Sequence, residues 1–271
     1  MPSKGRLAQE LTLLRKGSKT QVRVLGALLI REMLTRYGRN NIGFLWLFIE
    51  PMMFTLIITA LWTATRSIHG SNIPIVAFAL TGYSSVLMWR NMPGRCIGAL
   101  RSNVPLLFHR QVKLVDVYIS RIMLEFLGAS VSFVTLTIIF SLLDMMQLPE
   151  DLLQVLGAWV LLGWFGASLA ILVGSLSERF ELVSKFWPPL SYILFPFSGA
   201  AFLVDALPSS LRDVVLYLPM IHGVEMLREG FFGSAVKSHY DVQYLLLWNL
   251  ILSLFALSQL QLAGQDPSEE E

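Results

Sequence analysis

The chain has 271 residues, 54% of them hydrophobic and only 15% charged, with a mean hydropathy of +0.59. Soluble domains carry about 25% charge, so an ordinary soluble fold is excluded and a polytopic membrane protein is expected. The net charge of +2 decides little, and a single cysteine, Cys96, excludes an internal disulfide or a cysteine metal cluster.

Residues 1–28 are polar, with Lys4, Arg6, Arg15, Lys16, Lys19 and Arg23 against one acid, Glu10. No signal peptide is expected, because the first apolar run starts past residue 40. From Val22 the apolar positions Val22, Leu25, Leu29, Met33 and Tyr37 recur at spacings of three and four. That period predicts an amphipathic helix along a membrane surface, with Arg31, Arg36 and Arg39 off its apolar stripe. The run 44–65 is unbroken and, at about 1.5 Å per residue, is roughly 33 Å long, enough to cross a bilayer. Inside it Glu50 is followed at once by Pro51. A carboxylate at that depth is costly, so a cation from the basic helix or the Arg90 region is expected beside it.

A second span is predicted over 74–92, with Ser71-Asn72 as its cap and Pro74 in its first turn. A basic connector follows, holding Arg90, Arg95, Arg101, Arg110 and Lys113. The third span, 115–143, carries Asp116, Arg121 and Glu125 in its first turns, so that end should face protein or water. After an acidic loop with Asp144, Glu150 and Asp151 comes a fourth span, 153–176, and a very short turn, Ser177 to Glu181. The fifth span, 186–203, contains Pro188, Pro189 and Pro196. A mixed segment, 205–241, with a second amphipathic piece precedes the last span, 242–262, and a tail, 263–271, whose acidic end suits disorder. The basic loops all fall on one side, which predicts six spans in a single transmembrane domain, with residues 1–43 and the tail cytoplasmic. No inverted repeat is visible, which weakens a secondary-transporter reading.

The chain has no P-loop, no G-x-S-x-G, no H-E-x-x-H and no paired His/Cys ligand set; Gly17-Ser18-Lys19-Thr20 lacks the phosphate-loop spacing. His69, His109, His222 and His239 are scattered. No catalysis, cofactor or metal is therefore expected of this chain. Carboxylates at bilayer depth are too few for an ion relay, which favours a conduit driven by a separate ATPase. Trp46, Phe54, Trp62, Trp187, Tyr192 and Phe195 read either as interface belts or as stacking surfaces for the apolar faces of sugar rings. Arg31, Arg36, Arg39 and Arg90 can meet anionic lipid or admit an anionic substrate. Glu225 and Arg228, three apart, read as an ion pair on a helix.

The run Arg31-Glu32-Met33-Leu34-Thr35-Arg36-Tyr37-Gly38, then Asn41 to Trp46 and Glu50-Pro51, resembles the start of the membrane subunits of polysaccharide ABC exporters. The resemblance is to the capsular-polysaccharide branch, the KpsM-like permeases, and a second match is Leu218-Pro219-Met220 with His222, Glu225, Arg228 and Phe231. It implies an all-α type-2 ABC exporter membrane-domain fold: six transmembrane helices, an N-terminal interface helix, and a re-entrant periplasmic segment before the last helix. It implies a second copy of the chain and two ATPase subunits carrying the ATP and Mg. The ATPase would be met by Arg101, Asn103, Leu106, Ser177, Glu178, Arg179 and Phe180. A periplasmic gate would hold His222, Glu225 and Arg228. The implied substrate is a lipid-anchored, often acidic polysaccharide, handed to a periplasmic co-polymerase or adaptor and an outer-membrane channel; no nucleic acid is involved. An exporter of another amphiphile (O-antigen, teichoic acid, lipid or drug), a membrane glycosyltransferase component and an assembly scaffold remain alternatives. The only acidic cluster, Asp144, Glu150 and Asp151, is on the wrong side for nucleotide-sugar chemistry.

Overall fold

The computed structural model describes residues 4–37, 41–65, 73–107 and 112–264. Arg39, Ser71, Asn72, His69, His109, Arg110 and the acidic end of the tail lie outside the described residues. Among the described residues there are ten α-helices and no strand: α1 Lys4–Tyr37, α2 Asn41–Thr65, α3 Ile75–Cys96, α4 Val104–Leu107, α5 Leu114–Leu142, α6 Leu152–Arg179, α7 Glu181–Leu194, α8 Ser209–Val215, α9 Pro219–Phe232 and α10 Val242–Ala263.

Four of these, α2, α5, α6 and α10, are long and apolar enough to cross a membrane. Each holds a long, strongly apolar stretch with few charges, and where a cap is needed the chain supplies one. Asp151 accepts a hydrogen bond from the Gln154 amide at 2.9 Å, and Asp241 accepts from Gln243 and Tyr244 at 2.8 and 3.1 Å. At the start of α5 the buried Asp116 accepts from the Lys113 amide at 2.8 Å.

α3 is less apolar, carrying Thr81, Ser84 and Ser85, because it is the central helix and protein covers it. It packs against α2, α5, α6, α7 and α9. Thr81 and Ser85 return their hydroxyls to the carbonyls of Ala77 and Gly82, at 2.9 and 2.7 Å. Trp89 and Met92 are fully buried, and the Trp89 ring meets Phe165 of α6 edge-on at 5.9 Å. The close crossing depends on Gly166: a Cβ there would stand 2.8 Å from the Trp89 Cα. α10 completes the bundle against α6, where Trp164 donates to Ser253 at 2.8 Å and the buried Asn249 to the Leu161 carbonyl at 3.0 Å.

The fifth predicted span is where structure and sequence differ in extent. α7 has 14 residues, starts at Glu181 and stops at Leu194. That is about 21 Å of helix, short of a hydrocarbon core of about 30 Å. Pro196, which has no amide hydrogen to donate, follows just past its end and gives the helix no bond to continue on. The chain then turns through Gly199, whose φ of +81° is open to glycine. The predicted surface helix from Val22 is the second half of a single 34-residue helix, α1, which packs on α5 and α2.

Candidate functional site

Where α1, α2, α3 and α5 come together, six charged side chains form one cluster. Glu32 and Arg36 of α1 are four apart, as are Arg121 and Glu125 of α5; Glu50 comes from α2 and Arg95 from α3. Arg36 pairs with Glu125, and with Glu32 at 3.3 Å. Arg121 reaches Glu32 at 3.2 Å, and Arg95 bridges Glu125 at 3.2 Å and Glu50 at 3.4 Å. Three acids and three bases leave the cluster neutral, which is what a partly desolvated site requires. Its wetter end is the Arg95–Glu50 pair, with side chains 36% and 33% exposed against 11–15% for the other four. The cation expected beside Glu50 is thus Arg95, from the connector that begins at Arg90.

The same residues fasten the connector between α3 and α5. Arg121 donates to the Arg95 carbonyl at 2.9 Å and to Ser102 at 2.8 Å. The buried Asn103 donates to the Ala99 carbonyl at 2.7 Å and accepts from Arg31. Glu178, in the last turn of α6, accepts from the Leu100 amide at 2.9 Å and pairs with Arg101 at 3.4 Å. The two connectors are therefore tied to each other. Of the seven residues assigned to an ATPase contact, Asn103, Ser177 and Glu178 turn inward, each bonded within the chain. Arg101 and Phe180 are exposed and Leu106 is half-buried. Arg179 lies over the Phe180 ring at 5.6 Å and donates to Gln259 at 3.3 Å.

A third group lies between α3 and α7. The Arg90 guanidinium sits over the Tyr192 ring at 4.6 Å, and Tyr83 meets Phe195 edge-on at 5.8 Å. Trp187 is buried in the same seam, its indole nitrogen near Gly94. On α2, Trp46 and Phe54 are half-exposed, whereas Trp62 packs on Phe78 of α3 at 5.8 Å. The structure thus joins Arg90, Trp187, Tyr192 and Phe195 in one seam, and Arg36 and Glu50 in another.

At the far end of the bundle, α9 is a buried polar staple. Arg228 is fully buried and donates to the carbonyls of Gly199 and Ala200, both at 2.7 Å, and of Phe202, while its guanidinium covers the Phe78 ring at 4.0 Å. Gly82 opposite is obligatory, because a Cβ would come 2.4 Å from the Ala200 oxygen. Glu225, also fully buried, accepts from the amides of Val204 at 3.4 Å and His239 at 3.1 Å. The pair is therefore not on a helix surface; each member holds a different loop. His222 accepts at Nδ1 from the Asp241 amide at 2.9 Å, so that nitrogen carries no proton, and Nε2–H donates to the Leu216 carbonyl at 2.8 Å. Sequence reasoning missed the partners: Asp205, bonded to His239 at 2.8 Å and near Arg212 and Lys237, and Gln154, which donates to Glu229 at 3.1 Å. The His239 hydrogen bond holds the Asp205 carboxyl below its ordinary value. Its contribution is complete above the ordinary carboxylate range and is lost as pH falls through the lowered value.

An apolar bundle with a charge cluster at one end and a buried polar staple at the other fits a membrane transport component, and residues 23–232 match the ABC-2 type transporter family. The chain belongs to that family. It is similar to the capsule polysaccharide export inner-membrane protein CtrC of Neisseria meningitidis serogroup B, 42% identical over 238 residues that cover 88% of this chain and 90% of that protein. It is likewise similar to the capsule polysaccharide export inner-membrane protein BexB of Haemophilus influenzae, 39% identical over 246 residues, with 91% and 93% of the two chains covered. The polysialic acid transport protein KpsM of Escherichia coli is 25% identical over 244 residues, covering 90% and 95%. The family suggested by Arg31 to Trp46 and Glu50-Pro51 is the one matched.

Proposed function

We propose that this chain is the permease subunit of an ATP-driven exporter that moves lipid-anchored, acidic capsular polysaccharide across the bacterial inner membrane. The observation that carries the reading is near-full-length similarity to capsule polysaccharide export inner-membrane proteins, at 42% and 39% identity. In this reading α2, α3, α5, α6, α7 with the turn after it, and α10 are the six spans, and both termini are cytoplasmic. The segment from α8 to α9 dips into the membrane from the periplasmic side. Two copies pair with two ATPase subunits, and a periplasmic co-polymerase and an outer-membrane channel receive the polymer. The path runs along α2, α3 and α7, with Trp46, Phe54, Trp187, Tyr192 and Phe195 as weak stacking surfaces; a long polymer moves only if no contact holds it tightly.

Reconstitution of the chain with its ATPase in liposomes tests the reading. ATP-dependent movement of lipid-linked polysaccharide across the vesicle membrane is expected, and its absence in an assembled, ATP-hydrolysing complex overturns the reading. Because no phosphate-binding loop is present in the sequence, the purified chain alone is expected neither to bind nor to hydrolyse ATP, as judged by nucleotide binding and phosphate release. The connectors give a further expectation. Glu178→Lys with Arg179→Glu should release the α6–α7 turn from Leu100 and Arg101 and uncouple or detach the ATPase, while the chain still inserts. Normal co-purification and normal export in that variant would contradict a coupling role.

A further inference from the structure

Every arginine on α3, α5 and α9 except one has an oxygen partner. Arg95 and Arg121 face glutamates, and Arg228 is enclosed by backbone carbonyls. Arg90 has no carboxylate, amide or carbonyl oxygen bonded to it among the described residues; its partner is the Tyr192 ring at 4.6 Å. It lies six residues before the end of α3 at Cys96, about 9 Å inside the helix. An arginine inside the last turns of a buried helix, with no carboxylate paired to it among the described residues, points to a ligand site.

The surroundings fit an anion on a ring-shaped ligand. A guanidinium placed over an aromatic face keeps its N–H edge free for a planar oxyanion. Tyr83 lies seven residues before Arg90, on the same face of α3, with its ring on Phe195. Tyr192 is 65% exposed, so the pair is open to a passing ligand. Glu50, the carboxylate that sequence reasoning placed near this region, is bonded to Arg95 instead and leaves Arg90 uncompensated.

We propose that Arg90, held on Tyr192, binds the carboxylate of an acidic sugar and makes the pathway selective for anionic over neutral glycan. The proposal rests on the export reading above. One half-exposed guanidinium gives a charge-assisted contact that is weak enough to release each repeat as the polymer moves.

The test uses the complex of this chain with its ATPase in phosphatidylcholine nanodiscs. Calorimetry compares a glucuronic-acid tetrasaccharide with its neutral methyl ester. The acid is expected to bind about tenfold tighter than the ester, the value of one charge-assisted hydrogen-bonded contact. Arg90→Gln should bind both at the ester's affinity, and Arg90→Lys, which keeps the charge and loses the fork, should show a reduced preference. Tyr192→Leu should weaken both ligands, while Tyr192→Phe should not. No preference in the wild-type complex, or full preference in Arg90→Gln or Arg90→Lys, overturns the assignment; Arg90→Lys decides it if the glutamine variant does not assemble. A second arm adds phosphatidylglycerol to the nanodisc. If this lipid abolishes the wild-type preference, Arg90 holds a lipid phosphate and the proposal falls; an unchanged preference supports a sugar carboxylate. The export assay separates the two readings. A complex that exports polysaccharide without discriminating acid from ester removes only the Arg90 assignment, and one that exports nothing removes the export reading.

Discussion

Glu125→Ala is expected to destabilise the chain by about 3–5 kcal/mol, the cost of breaking a buried ion-pair network and leaving it one positive charge in excess. Glu125 is the hinge of the six-residue cluster, meeting Arg36 of α1 and Arg95 of α3, and its own side chain is only 11% exposed. Its removal leaves two guanidinium groups around one vacated position, with Glu32 and Glu50 as their remaining acids. The expected readouts are a lower thermal midpoint of the purified complex and faster amide exchange along the second half of α1. The double variant Glu125→Leu with Arg36→Met removes a pair of opposite sign and should recover much of the loss, because an apolar pair of similar volume is close to neutral in exchange for a buried ion pair. A thermal midpoint for Glu125→Ala equal to the wild type would show that the cluster is solvated and carries little energy. Additivity of the two single changes would show that Arg36 and Glu125 do not act as a pair.

Much of the fold was legible because four helices hold strongly apolar runs with few charges, long enough to cross a bilayer. The boundaries of α2, α5, α6 and α10 fall within a few residues of the runs. α1 begins well before Val22: its first half has no apolar stripe, but its lysines, arginines and leucines are good helix formers, and propensity carries it back to Lys4. α7 was read too long, since composition continues to Leu203 while Pro196 stops the helix. The charge cluster was half visible. Glu32 with Arg36 and Arg121 with Glu125 are both opposite charges four apart, a signal that each residue faces its partner. That these two pairs meet, and that Arg95 joins them to Glu50, depends on how α1 and α3 dock on α5, which no local pattern encodes. The same limit hid the ties between Glu178 and Leu100, whose partner is a backbone amide 78 positions away in the chain.

Arg228→Met is the second change with a large expected effect. The side chain occupies a fully buried position and satisfies three carbonyls of the turn after α7, at Gly199, Ala200 and Phe202. Methionine fills similar volume but donates nothing, so those acceptors are left unpaired at about 1–3 kcal/mol each where they stay buried. The cation over Phe78 is lost as well, and with it the guanidinium on the same helix as Glu225. The summed cost exceeds what the turn can bear, so it should reopen to water rather than remain folded. Limited proteolysis should then cut between 199 and 207, where the native chain resists, while α5, α6 and α10 stay protected. Arg228→Lys is not a rescue: an ammonium on a flexible stem can reach one or two of the carbonyls but not span all three as the planar fork does. A doubly apolar variant, Arg228→Met with Glu225→Leu, separates charge from hydrogen bonding. It removes the Glu225 carboxylate but also frees the amides of Val204 and His239, so the turn should stay open. Full protection of residues 199–207 in Arg228→Met would mean that packing of α9 against α3 and α6, and not its arginine, holds this end of the molecule closed.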